Sequence, residues 1–200
     1  MERSRSPVAV LKALLRHQAA YAAHGDPATF AANKIALLLA WNSPLYPIYV
    51  LALVGRDALP YGLLTMLVTP FFYAVPWISR FSPSASRIAL TLVGAANTIW
   101  CLKLFGPVSG VGLFLYPCIV LPALLFRSAE RWLMLPLLGL MLALWFVPLT
   151  TFGAPLVGLT APELVRLSAL NAGSVAFLLS FMVLQMVDVM RAIAKGGATL

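Results

Sequence analysis

Asn42 and Ser43, Thr65 and Thr69, Asn97 and Thr98, and Asn171 and Ser174 are polar side chains set inside long apolar stretches of this chain. All are neutral hydrogen-bonding groups. They can hold an uncharged or amphiphilic ligand, but they cannot exchange a proton near neutral pH. At 1.5 Å per helical residue, Asn42, Thr69 and Asn97 fall near the middle of their stretches and Asn171 a little outward. Asn42, Thr69, Asn97, Asn171 and Ser174 are therefore the candidate ligand-binding residues. The same groups could instead tie helices together, each bond contributing about 0.6–2 kcal/mol.

Other chemistry is sparse. Asp57 and Glu163 lie outside the apolar stretches, as does Glu130, and Asp188 lies at the end of the last one. Coupled ion transport calls for a carboxylate or a broken, carbonyl-lined helix at depth. His17 and His24 precede the first stretch, so two histidines cannot hold a haem between the helices. Cys101 and Cys118 stand singly in apolar surroundings, as small buried hydrophobes do. No HExxH, GxSxG or Walker pattern occurs. The expectation is a protein without catalytic residues, metal or cofactor.

The elements that position these residues follow from composition. Of 200 residues, 62% are hydrophobic and only 10% charged, which excludes a water-soluble globule and a disordered chain. The fold class expected is all-α: a polytopic membrane protein with six transmembrane helices, at 34–54, 59–78, 88–105, 109–126, 132–149 and 165–187. Residues 1–33 form a basic cytoplasmic segment and 188–200 a short cytoplasmic tail. Gly55, Pro83, the Gly106-Pro107 pair, Pro155 and Pro162 punctuate the gaps. Several prolines also fall within the spans, most densely in Trp41-Asn42-Ser43-Pro44-Leu45-Tyr46-Pro47, where they can bend a helix.

The net charge of +8 would suggest nucleic acid in a soluble protein. In a membrane protein it marks the cytoplasmic side, and no nucleic-acid partner is expected. With both termini inside, Arg3, Arg5, Lys12, Arg16, Lys34, Arg80, Arg87, Arg127, Arg131, Arg191 and Lys195 share one side. Only Arg56, Lys103 and Arg166 occupy the other. Ser6-Pro7 opens an N-terminal amphipathic helix with Val8, Leu11 and Leu15 on one face and Lys12 and Arg16 on another. Arg5, Lys12 and Arg16 are the residues expected at anionic headgroups of the bilayer. Lys12 and Arg16 break the apolar core that a secretory signal needs, whereas a transit peptide is a second reading.

In the sixth span, Asn171, Ser174, Leu178, Phe181, Gln185 and Asp188 are spaced 3, 4, 3, 4 and 3. That is a heptad seam, read either as the contact of a homodimer or as an ordinary buried face. Ala169 and Gly173 add a small-xxx-small pair beside it.

Some segments between Tyr61 and Met190 carry a resemblance. They are Phe71-Phe72-Tyr73-Ala74-Val75-Pro76-Trp77-Ile78-Ser79-Arg80-Phe81, Gly106-Pro107-Val108-Ser109-Gly110, Leu113-Phe114-Leu115-Tyr116 and Leu124-Leu125-Phe126, with Leu170-Asn171 and Phe181. This stretch resembles the six-helix membrane domain of bacterial class III adenylate cyclases and related cyclase and kinase sensor modules. The resemblance implies a dimeric anchor or receptor-like input in a bacterial cytoplasmic (inner) membrane, signalling through the sixth helix to a cytosolic effector. No catalytic domain follows Asp188-Val189-Met190-Arg191, so it implies a free-standing module or a piece of a longer protein, without cyclase activity. A small permease or lipid-handling protein using the polar midplane residues is the other expectation.

Overall fold

The computed structural model describes residues 7–147, 151 and 153–197, with side chains placed from 12 to 194 within those ranges. The described residues form an all-α protein of seven helices. These are α1 (Pro7–Ala22), α2 (Pro27–Leu53), α3 (Arg56–Ser79), α4 (Pro83–Phe105), α5 (Val111–Leu125), α6 (Ser128–Phe146) and α7 (Ala161–Gly197). Five of them, α2, α3, α4, α6 and α7, are long and apolar enough to cross a bilayer. The chain is an integral, polytopic membrane protein that contacts lipid.

Local signals set the helix ends. Asp26 caps α2: its carboxylate accepts from the Thr29 amide at 3.0 Å, and Pro27 starts the helix with its φ already fixed. The first long helix therefore begins at Pro27, not at Lys34, and residues 27–33 belong to it rather than to the N-terminal segment. Partial burial pushes the Asp26 carboxyl up, but hydrogen bonds from Thr29 and the Arg127 guanidinium outweigh this and hold it below its ordinary value. Ser82 caps α4 in the same way, accepting from the Ala85 amide at 3.2 Å.

Proline breaks α2 and α3 at facing places. Pro47 and Pro70 cannot donate to the carbonyls four residues earlier, Ser43 and Met66. A 3-10 turn at Ser43–Leu45 lets the Tyr46 amide take the Ser43 oxygen, and one at Thr65–Val68 lets the Thr69 amide take Met66. The two breaks meet where the Thr69 hydroxyl donates to the Ser43 hydroxyl at 2.7 Å.

α2 is the central helix, packed on α3, α4 and α7. Its buried face carries Ala28, Ala31, Ala32, Ala36 and Ala40, small side chains that let neighbouring backbones approach closely. The main core joins Ile35, Phe72, Val75, Leu90, Leu121, Leu178 and Met182, and a smaller one joins Val50, Leu104, Phe105, Val111 and Leu167. α6 stands at the edge: it packs mainly on α5 and buries only Leu137 and Met141.

Contacts between helix ends define two ends of the bundle. At the basic end, Arg87 at the start of α4 bonds to Leu125 at the close of α5 and to Glu130 at the start of α6. Arg127 also pairs with Asp26 there, and Asn33 donates to Ser79. At the opposite end, the backbone amides of Leu156 and Val157 bond to the carbonyls of Lys103 and Leu104, folding the segment before α7 onto α4. α5 thus returns the chain along the length of α4, although at 15 residues it is shorter than the five long helices. α1 lies at the basic end, held where the Tyr21 hydroxyl donates to the Tyr73 carbonyl at 2.8 Å. Lys12 and Arg16 on α1 are exposed, whereas Arg3, Arg5 and Ser6 lie outside the described residues.

Candidate functional site

Beside the two proline breaks a chamber of about 100 Å³ opens between α2, α3, α4, α5 and α7. Its polar wall is Asn42, Ser43, Tyr46, Thr65, Asn97 and Thr98. Phe72, Leu90, Phe114, Leu121, Leu178 and Met182 line the rest. The breaks explain why polar groups gather here. Pro44, Leu45 and Leu67 face outward at the breaks, where the 3-10 turns keep the backbone carbonyls bonded, while Ser43 and Thr65 turn to the chamber.

Several polar groups are already engaged. Thr65 donates to the Gly62 carbonyl at 2.7 Å and Thr98 to the Gly94 carbonyl at 2.9 Å, both within their own helices. The Tyr46 hydroxyl donates to the side-chain Oδ1 of Asn171 at 3.1 Å. What the chamber offers a ligand is the Asn42 amide, the Asn97 amide and the Ser43 hydroxyl. Among the described residues, Asn42 makes no side-chain bond, and Asn97 only accepts a long one from the Cys101 thiol at 3.8 Å. Such a set can bind a neutral polar group in an apolar pocket; it contains no carboxylate, lysine, arginine or histidine. Among the described residues, no three of His, Cys, Asp and Glu come together as a metal site would require.

The five candidate residues do not form one cluster. Asn42 and Asn97 line the chamber, and Thr69 stands behind it on Ser43. Asn171 is fully buried and sits towards the opposite end, its amide donating to the Ser109 carbonyl at 2.9 Å while its oxygen accepts from Tyr46. It reaches the chamber only through Tyr46. Ser174 lines a separate lateral groove of about 470 Å³ between α2 and α7, which Asn42, Leu39, Phe114 and Leu178 share with the chamber.

The seam expected along the sixth span lies largely inside the bundle, as an ordinary buried face would. Asn171, Leu178 and Gln185 are buried, and Ser174 and Phe181 are half-buried. Only Asp188 is exposed. That face packs inside its own bundle, because α2 and the turns before α5 cover it. Asn171, Leu178 and Gln185 are thus taken up within the chain's own bundle.

One cluster was not foreseen. Arg87, 3% exposed, spends all five N–H donors: on the carbonyls of Pro83 and Leu125, both Glu130 oxygens and the Ser84 hydroxyl. The Phe126 ring lies 4.9 Å from the guanidinium. In the sequence these residues differ little from other loop charges. The available signal was Glu130, the single acid between Arg127 and Arg131.

The chain matches no family model, no curated protein and no solved structure, so no family membership is assigned and its fold is known from its own coordinates.

Proposed function

We propose that the chain is a non-enzymatic sensory or anchor module of a bacterial cytoplasmic membrane, with α7 as its output. The observation that carries this is the reach of α7. It supplies Leu178 and Met182 to the chamber wall and runs for 37 residues, about 55 Å, against a hydrocarbon layer of about 30 Å. A change in what fills the chamber can therefore shift a helix that emerges on the far side of the bilayer. Asn42 and Asn97 are the residues that would hold a neutral ligand, with Thr69, Ser174 and Asn171 in support.

The topology proposed is six crossings with both ends cytoplasmic. α5 supports the sixth crossing, since it carries the chain from the end of α4 back to the level of Arg87. The gathering of Lys34, Arg80, Arg87, Arg127, Arg131 and Arg191 at one end of the bundle supports the orientation. Lys12 and Arg16, with Arg5, would face anionic headgroups there. Reporter fusions should place the Arg80–Arg87 loop and residue 200 in the cytoplasm and the segment around Gly158 outside. An external C-terminus would overturn the crossing count or the orientation.

The partners proposed are a second copy and a cytosolic effector, with no nucleic acid. With the polar seam packed inward, the dimer contact moves to the exposed side of α7. There Ala169, Ala172, Ala176, Val183, Met190 and Ile193 are exposed, and with Leu179 and Met186, half-buried against the core, they repeat at 3 and 4 residues, all apolar. Asp188 and Arg191 fall outside this stripe, as charges do in a coiled coil. Single-cysteine variants lacking Cys101 and Cys118 test it by oxidative cross-linking in membranes. Cross-linking should peak at 169, 172, 176, 183 and 190 and be lost at 171, 178 and 185. A flat profile would remove the dimer.

The facing breaks of α2 and α3 favour a second reading, a small permease or lipid-handling protein. Transporters place substrate sites at such broken helices. A flat cross-linking profile would favour it.

A further inference from the structure

At the basic end, a second groove of about 270 Å³ lies between α2 and α7, lined by Phe30, Ala31, Lys34, Gln185, Asp188 and Val189 among others. Three of its side chains are chemically unfinished. The Lys34 ammonium sits 4.5 Å from the centroid of the Phe30 ring, which holds it on the groove wall, and it makes no ion pair among the described residues. Gln185 is 8% exposed as a whole residue, and its amide keeps access to the groove and makes no hydrogen bond among the described residues. An accessible, unengaged amide on a groove wall can both donate to and accept from a ligand seated there. Asp188 meets Arg191 only at 3.9 Å, with both side chains more than half exposed, a pair too loose and too wet to occupy the carboxylate.

We propose that this groove binds the headgroup of a zwitterionic phospholipid that carries a primary amine. Lys34 takes the phosphate, and Asp188 takes the ammonium. The Gln185 amide serves both, donating N–H to the phosphate and offering its oxygen to the amine. The pairing of one cation with one anion selects the headgroup class. An anionic lipid without an amine would meet Asp188 as a like charge. A quaternary choline has no N–H for Asp188 or Gln185 to accept. The depth also fits: the groove lies at the end of the bundle where the basic residues gather. One helical turn deeper on α2 is Leu38, and two turns back along α7 is Leu178; both line the lateral groove that reaches Asn42. One acyl chain can follow that path, between the helix that holds the chamber's Asn42 and the helix proposed as output. The inference goes beyond the sensory reading and is independent of it, since it needs only that the chain sits in a bilayer.

The test uses the full chain reconstituted in vesicles of phosphatidylethanolamine, phosphatidylcholine and phosphatidylglycerol in equal parts, with identical acyl chains. Native mass spectrometry then reads the lipid retained. Wild type should retain the ethanolamine lipid several-fold over the other two. Lys34→Ala should lose about ten-fold of it, and Lys34→Arg should restore it. Asp188→Asn should abolish the preference for the amine and raise retention of phosphatidylglycerol. Gln185→Leu should lower ethanolamine-lipid retention, and Arg191→Ala should change nothing. Helicity and elution volume identify any variant that fails to fold, and the Lys34→Arg and Asp188→Asn comparison then decides. Equal retention of the three lipids by wild type overturns the proposal, as does a preference for phosphatidylglycerol or an unchanged ranking in Asp188→Asn. Cross-linking along α7 does not enter this outcome, so the two proposals fail separately.

Discussion

Replacing Glu130 with Ala should destabilise the chain by about 3 kcal/mol, the lower part of the range for breaking a buried ion pair. The Arg87 side chain is 4% exposed and that of Glu130 21%, so water can reach the acid but not the guanidinium. Without Glu130, two of the five Arg87 donors lose their acceptors, and a buried positive charge is left without its counter-ion. The loss spreads because Glu130 also accepts from the Arg127 amide at 3.0 Å and from Ser84 at 3.1 Å. Three helix ends, those of α4, α5 and α6, would separate. Arg87→Lys should recover little, since an ammonium cannot reproduce the planar fork that meets the Leu125 carbonyl and both carboxylate oxygens. The double variant Arg87→Met with Glu130→Leu should lose less than Glu130→Ala alone, because no charge is then stranded. Unfolding the full chain in mixed micelles with increasing dodecyl sulfate, followed by helical circular dichroism, measures all three. A Glu130→Ala loss below about 1 kcal/mol would mean that water already screens the pair, as at an exposed site.

The cluster marks a boundary of what sequence reveals. Arg87 was legible as one of a set of loop cations, and the structure brings it to Glu130, which also accepts from the Arg127 amide. Its burial was not legible, because burial depends on Leu125 and Glu130, about 40 residues away in the chain. The long apolar helices were legible from composition and punctuation, since lipid obliges each span to satisfy its own backbone. The starts of α2 and α4 were misplaced by several residues, because polar caps at Asp26 and Ser82 open helices before the hydropathy rises. The fourth expected span, 109–126, is short in the sequence as well, and α5 is shorter still. Its Gly106–Gly110 entry spends residues on tight turns, leaving a shorter helix.

The polar residues were legible in depth but not in direction. Asn42 and Asn97 do face one chamber, yet Thr69 is spent on Ser43, and Asn171 on Tyr46 and Ser109. Counting residues along a helix gives height and relative angle but not which neighbour lies on a given side. The same limit applied to α7. A 3–4 repeat is what any packed helix shows, whether its partner belongs to the same chain or to another. The polar seam through Asn171 and Gln185 is the intramolecular one. Asn171 finds its partners inside the bundle, in Tyr46 and Ser109, and Gln185 turns to the groove beside Lys34, while Ala and Val can face hydrocarbon at no cost.

Gly110→Ala should cost about 2–5 kcal/mol and move the outer part of α7. Gly110 holds φ +78°, a left-handed conformation that costs an L-residue roughly 1–2 kcal/mol. A methyl group there would also lie 2.9 Å from the Ser168 hydroxyl and 3.0 Å from the Ser168 Cα. A hydroxyl can rotate away, but a backbone carbon can yield only if the whole helix shifts, and overpacking of this kind costs about 1–3 kcal/mol. The shift falls three residues before Asn171, whose amide reaches back to the Ser109 carbonyl beside the same glycine. Asn171 would lose that bond, and Tyr46 would lose its anchor at the chamber wall. Two measurements separate the parts of this effect. Dodecyl sulfate unfolding reads the loss of stability, and accessibility of Cys101 to a membrane-permeant maleimide reads the opening of the chamber, which Cys101 lines at 8% exposure. The alanine variant should label faster than wild type. Ser168→Gly in the Gly110→Ala background removes the hydroxyl contact but leaves the backbone one, so it should restore little of either loss. Full restoration would show that only a side-chain clash is relieved, and wild-type behaviour of Gly110→Ala itself would show that α7 does not rest on this turn.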